Sequence, residues 1–187
     1  EIGKGVNNFK VGDRVISNGN HAEFVLAPKN LVAKVPEQVP NDEAVFTVIS
    51  SIGLQGIRLA NPTLGETFVV SGLGLIGLIT CQLLKANGCK VFGLDPDKEK
   101  CEMAESFGVK TLLLGDLDDP AKWCVENNNS LEVDGFIITA NTSSNQPVDI
   151  AAKACRKRGR IVLVGVTGLN LKRDLFYKKE LLFQVSC

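Results

Sequence analysis

Residues 67–95 open Thr67-Phe68-Val69-Val70-Ser71-Gly72-Leu73-Gly74-Leu75-Ile76-Gly77 and continue as an apolar run to Leu84; Asn87-Gly88 then leads into Val91-Phe92-Gly93-Leu94-Asp95. The order is strand, glycine turn, helix, turn, strand, acid. G-x-G-x-x-G spacing alone is a weak signal. Here it follows a strand, opens a helix and precedes an acid about 20 residues on, the context that marks a dinucleotide site. A glycine turn that only packs helix on strand would leave Asp95 a coincidence.

Each part has a physical job. Gly72 permits the tight turn out of the strand, Gly74 lets a pyrophosphate approach the backbone, and Gly77 lets the helix lie close to the sheet. Leu73, Leu75 and Ile76 complete the turn and the helix start, whose unpaired N–H groups and positive dipole end favour phosphate. Asp95 ends the second strand, where a carboxylate accepts hydrogen bonds from both ribose hydroxyls. It would repel a 2′-phosphate, so NAD is expected as cofactor rather than NADP.

Outward from this stretch the pattern stays β then α. Residues 97–107 form an amphipathic helix, Thr111–Leu114 a third strand, and Asp119-Pro120 the cap and first position of a short helix. Val133–Thr139 is a fourth strand, 148–157 a helix closed by Gly159, Ile161–Val164 a fifth strand and Leu181–Val185 a sixth. The strands are continuous apolar runs, as in a parallel sheet covered on both faces. The fold class is therefore α/β, a Rossmann doubly wound parallel sheet. Upstream, 11–16, 22–27 and 31–35 read as short strands. Pro36 and Pro40 end that region, Asn41 is a plausible helix cap, and 44–60 is apolar almost all round, predicting a buried helix. The expected domains are 1–40, the remnant of a β-rich domain; 41–61, a connecting helix; and 62–187, the NAD-binding domain. The two ends read as cut, so a fragment is expected.

The 187 residues carry 44% hydrophobic and 22% charged side chains with a net charge of zero, globular values. Neutrality gives no electrostatic case for nucleic acid or an anionic membrane, and no apolar run has the length of a membrane span. The six cysteines are scattered without a C-x-x-C pair, predicting reduced thiols in a cytoplasmic protein.

Other residues can carry chemistry. Lys100 lies one helical turn beyond Asp95, on the ribose side. Thr139, Ala140 and Asn141, with Gly165 and Val166, end the fourth and fifth strands on the carboxyl rim, where such sheets bind ligands. The single histidine, His21, starts a strand after a turn and reads as structural. Lys153, Arg156, Lys157, Arg158 and Arg160 read as a solvated helix C-terminus.

With these residues placed, the chain resembles the medium-chain dehydrogenase/reductase superfamily, in its zinc-type alcohol dehydrogenase-like branch. The resemblance rests on Phe9-Lys10-Val11-Gly12-Asp13-Arg14-Val15, His21-Ala22-Glu23-Phe24-Val25, Gly72–Gly77 with Asp95 and Lys100, Arg158–Gly165, and Lys179-Glu180-Leu181. It implies that the N-terminal remnant is GroES-like and that the chain is the cofactor-binding part of an oxidoreductase. That enzyme would move a hydride between nicotinamide and a small alcohol, carbonyl or sugar-like substrate. The family's zinc-binding segments have no counterpart here: the stretch 46–51 holds neither cysteine nor glutamate, so zinc is not expected and no metal ligand is assigned. No catalytic acid or base is assigned either. The chain is expected to bind NAD without turning over substrate and to form a homo-dimer. A non-catalytic NAD-sensing module is the alternative; a methyltransferase fits less well, because Val70-Ser71 stand where that class has an acid.

Overall fold

The structure, a computed structural model, describes residues 1–115 and 119–186. It separates into two compact units, Glu1–Ser51 and the chain from Ile52 onward.

In the first unit, β1 (Val15–Ser17) pairs antiparallel with β2 (Val32–Lys34). Asp13 binds Lys34 at 2.7 Å and accepts the Lys10 amide, and these partners hold its carboxyl below the usual range. The strand expected at 22–27 does not form. Phe24 and Leu26 are exposed there, and an extended segment without a ladder partner is not a stable strand. The helix expected from Ala44 is divided into α1 (Asn41–Ala44) and α2 (Thr47–Ala60). Asn41 is the first helical residue rather than the cap, and its Oδ1 accepts from the Arg14 guanidinium at 2.7 Å. The part of α2 that belongs to the second unit is not buried all round either: Gly53, Gly56, Ile57 and Ala60 form its buried face, while Ile52 is exposed.

The second unit is a six-stranded parallel sheet in the order β5-β4-β3-β6-β7-β8. Its strands are β3 (Thr67–Ser71), β4 (Lys90–Asp95), β5 (Lys110–Leu113), β6 (Val133–Ile138), β7 (Cys155–Leu163) and β8 (Leu182–Val185). The helices are α3 (Leu75–Ala86), α4 (Lys98–Ser106), α5 (Pro120–Asn127), α6 (Gln146–Ala154) and α7 (Arg173–Lys179). Along β3 the side chains alternate between two cores. Phe68 and Val70 pack with Cys81, Leu84, Cys101 and Val162, while Val69 packs with Phe136, Val148, Ala151 and Ile161 on the opposite face. Burial on both faces accounts for the unbroken apolar strands. The chain leaves β3 toward β4 on one side and reaches β6 on the other. A crevice therefore opens between the carboxyl ends of β3 and β6, where strand order reverses.

Two local readings change. Helix α6 stops at Ala154, three residues before the expected end, because Cys155 pairs with Val133 and Arg156 reaches Asp134 at 2.6 Å. Arg158 then adopts φ 60°, outside helical geometry. Of the basic run, Lys153 stays in the last turn of α6, but the other four lie on strand β7 and are paired: Arg160 and Arg156 with Glu66, Lys157 and Arg158 with Glu180. Helix α7 had not been expected at all; its sequence, Arg173–Lys179, buries none of its residues.

Cys81, Cys89, Cys101, Cys124 and Cys155 are free and buried; Cys187, the sixth cysteine read as reduced, lies outside the described residues. Burial pushes the thiols of Cys81, Cys124 and Cys155 up to about 12 from an ordinary value of 9.0. An acid whose folded pKa is raised favours the native state only while the unfolded thiol stays protonated. Stability is therefore expected to fall as pH rises from 9.0 toward 12, and thermal melts across that range would check it. Replacing all three by alanine or valine should flatten the alkaline slope.

Candidate cofactor site

The glycine turn is shaped by three different demands. Gly72 has φ 96°, and a Cβ there would lie 2.5 Å from the Ala140 amide nitrogen. A Cβ on Gly77 would run into the Gly72 carbonyl oxygen. On Gly74 it would meet nothing within 4 Å. The first and third glycines therefore serve packing, and the middle one faces open space. Gly74 is also the residue before α3 and caps it without a side chain. Helix geometry leaves the first amides of α3 without intrahelical acceptors, directed toward that space.

Asp95, at the end of β4, is 5% exposed. Its Oδ2 accepts the Leu73 amide at 2.6 Å and its Oδ1 the Asp97 amide at 2.8 Å. The acid thus ties the glycine turn to the β4–α4 loop. A carboxylate has about four acceptor positions, so two remain. Lys100 Nζ lies 4.0 Å from Asp95 Oδ1 and 3.2 Å from Asp97 Oδ2. Asp97 caps α4, accepting from the amides of Glu99 and Lys100. The Lys100 contact and these amides hold the Asp97 carboxyl below its ordinary range, and Asp97 followed by Asp95 raises the Lys100 ammonium above its own.

Thr139, after β6, donates its hydroxyl to the Gly72 carbonyl at 2.5 Å, and its amide bonds the Ser71 carbonyl at 2.8 Å. It clamps the turn from the other side of the crevice. A cleft of about 500 Å³ results, within the usual size of a small-molecule site. Gly72, Gly74, Asp95, Lys100, Thr139, Ala140 and Asn141, all singled out from the sequence, line it together. Leu73 and Gly77 are buried beneath it, and Leu75 is half exposed on α3. Ile76 is partly buried on that helix, its carbonyl accepting from Thr80. Gly165 and Val166, also singled out from the sequence, are not among the residues that line it: Gly165 bonds the Ile138 carbonyl, and Val166 bonds the Ala140 carbonyl and pairs with Asn141. Sequence reasoning missed Pro96, Thr142, Ser144 and Gln146, which also line the cleft. The run Thr142-Ser143-Ser144-Asn145 before α6 was the available signal, being turn chemistry on the carboxyl rim. His21 is exposed, in neither helix nor strand. Among the described residues no three His, Cys, Asp or Glu side chains are grouped to hold a metal ion. No helix among them is long and apolar enough to cross a membrane.

The zinc-binding dehydrogenase family matches residues 76–186, and the chain belongs to that family. It is 27% identical to an alcohol dehydrogenase of Geobacillus stearothermophilus over 209 residues, covering 94% of this chain and 60% of the relative. It thus spans about 60% of that relative's length. Among solved structures, 2R,3R-butanediol dehydrogenase from Bacillus subtilis superposes with a TM-score of 0.85 at 21% identity, covering 100% of this chain and 62% of that one. Two further neighbours hold nicotinamide cofactors. A short chain alcohol dehydrogenase from E. coli CFT073 has NADH, with 25% identity, TM-score 0.74 and coverage of 86% and 48%. A mycobacterial protein has NADPH, with 24% identity, TM-score 0.85 and coverage of 100% and 61%.

Proposed function

We propose that the chain is the NAD-holding part of an oxidoreductase that transfers a hydride between nicotinamide and an alcohol or carbonyl carbon of a small, sugar-like or simpler substrate. The observation that carries this reading is the shared cleft: the open face of Gly74 and the Asp95 carboxylate look onto the same space. Bound NAD supplies the hydride acceptor. The chain's residues account for the rest of its binding. Gly74 leaves room for the pyrophosphate, the start of α3 offers amides to it, and the two remaining acceptor positions of Asp95 suit the ribose hydroxyls. Asp95 favours NAD over NADP by repulsion of a 2′-phosphate. Thr139 is a positioning residue that holds the turn in shape, and Gly165 and Val166 extend the floor toward the nicotinamide end.

The same proposal includes a homo-dimer in the cytoplasm. Among the described residues strand β8 is one edge of the sheet, with Leu182 and Val185 about half exposed, and such an edge is a template for a second copy.

The test is a panel of alcohols, sugars and aldehydes with NAD or NADH, following nicotinamide absorbance, on this chain and on the full-length protein. The proposal expects NAD binding by both and turnover by the full-length protein, with hydride transfer absent from this chain alone. Absence of turnover by a full-length protein that binds NAD would favour a sensing module.

A further inference from the structure

One end of the cleft holds one carboxylate, Asp95, and one ammonium, Lys100, with a second carboxylate, Asp97, beside the lysine outside the lining. Among the described residues that line the cleft, Lys100 is the one cation. Its Nζ sits nearer Asp97 (3.2 Å) than Asp95 (4.0 Å), although only Asp95 faces the cleft. Asp97 stands behind the lysine, fixed there by three backbone contacts. It accepts the amides of Glu99 and Lys100 as the cap of α4, and donates its own amide to Asp95.

Resting on the cofactor reading above, we propose that Asp97 is a positioning residue that sets the choice between NAD and NADP through Lys100. Asp97 draws the ammonium back against its own carboxylate and cancels its charge, so the ribose end keeps a net negative charge. A ribose with two neutral hydroxyls is indifferent to that charge. A 2′-phosphate, carrying close to two negative charges, is not. With Asp97 uncharged, Lys100 is free to turn to the phosphate and the local charge falls to zero even with Asp95 in place. Both carboxylates thus guard the site, one by direct repulsion and one by withholding the lysine. The raised Lys100 and lowered Asp97 titrations agree with a pair that stays ionised.

The experiment is calorimetric titration of Asp97→Asn with NAD and with NADP, at low salt and again at high salt. Asparagine retains a good helix cap, so α4 and the Asp97 amide stay in place. The expected result is NADP affinity raised about tenfold at low salt, with most of the gain lost at high salt and NAD affinity changed less than about threefold. Adding Lys100→Met should erase the gain. Asp97→Ser, which also caps, should repeat the asparagine result. An unchanged NADP-to-NAD ratio in Asp97→Asn, with NAD still bound tightly, overturns this inference while leaving the cofactor reading intact. So does a gain that survives Lys100→Met. Failure of the unsubstituted protein to bind NAD overturns both.

Discussion

Gly77→Ala is expected to lower the unfolding midpoint of the sheet unit by on the order of 10 °C and to abolish NAD binding. The added methyl would be driven into the Gly72 carbonyl oxygen, and it would lie 2.9 Å from both the Gly72 carbonyl carbon and Thr139 Oγ1. The obstacle is backbone, which cannot swing aside as a side chain does. Relief requires α3 to lift from the sheet or the turn to open. Lifting α3 loosens Cys81 and Leu84 in one core. Opening the turn strains the Thr139 hydroxyl bond and the Leu73 amide on Asp95. Overpacking of this kind costs about 3 kcal/mol, which for a chain of this size corresponds to roughly 6–12 °C. Circular-dichroism melts measure it. A midpoint within about 2 °C of the parent would show that the turn is softer than its contacts imply.

Asp95→Ser is expected to weaken NAD binding by about 10- to 100-fold, to narrow the NAD-over-NADP preference, and to destabilise the fold by about 1–3 kcal/mol. The two effects share one side chain but have separate causes. Stability falls because the buried Leu73 amide loses its acceptor and the shorter serine cannot also reach the Asp97 amide. Affinity falls because the ribose loses a charged acceptor. Asp95→Asn separates them in part: its carbonyl oxygen can still take the Leu73 amide, but its NH2 would meet the Asp97 amide donor to donor, so part of the stability should return while the charge does not. Chemical denaturation and calorimetry on both variants check this. Full NAD affinity in Asp95→Ser would remove the acid from the cofactor site.

How far the sequence could be read depended on how local the causes were. The glycine turn, the bounds of α3 and the acid at the end of β4 follow from steric and capping rules acting over a few residues, and the structure has them where expected. Asp119 before Pro120 likewise starts α5. Long-range pairing was not legible. Cys155 leaves α6 because Val133 and Asp134 lie beside it, about 20 positions away in the chain, and no helix propensity near Lys157 reveals that. The segment 22–27 has strand composition, yet no partner strand takes it up among the described residues. Within the site, the sequence located Asp95 and Lys100 but not what holds them. That Asp95 carries the Leu73 amide, and that Asp97 engages Lys100, are facts of geometry rather than of residue type.

Gly74→Ala decides whether the open face of Gly74 is where the cofactor's pyrophosphate lies. A Cβ at this position meets no protein atom within 4 Å, and the backbone there, at φ −67°, suits alanine. The variant should therefore fold, with only the poorer capping by alanine, about 1 kcal/mol, lowering its midpoint by about 2–4 °C. Calorimetric titration with NAD, parent against variant, is the measurement. Affinity is expected to drop about tenfold or more while the midpoint moves by no more than about 4 °C. Equal NAD affinity in the two proteins would contradict it, because the space before the glycine turn would then not be where the pyrophosphate binds.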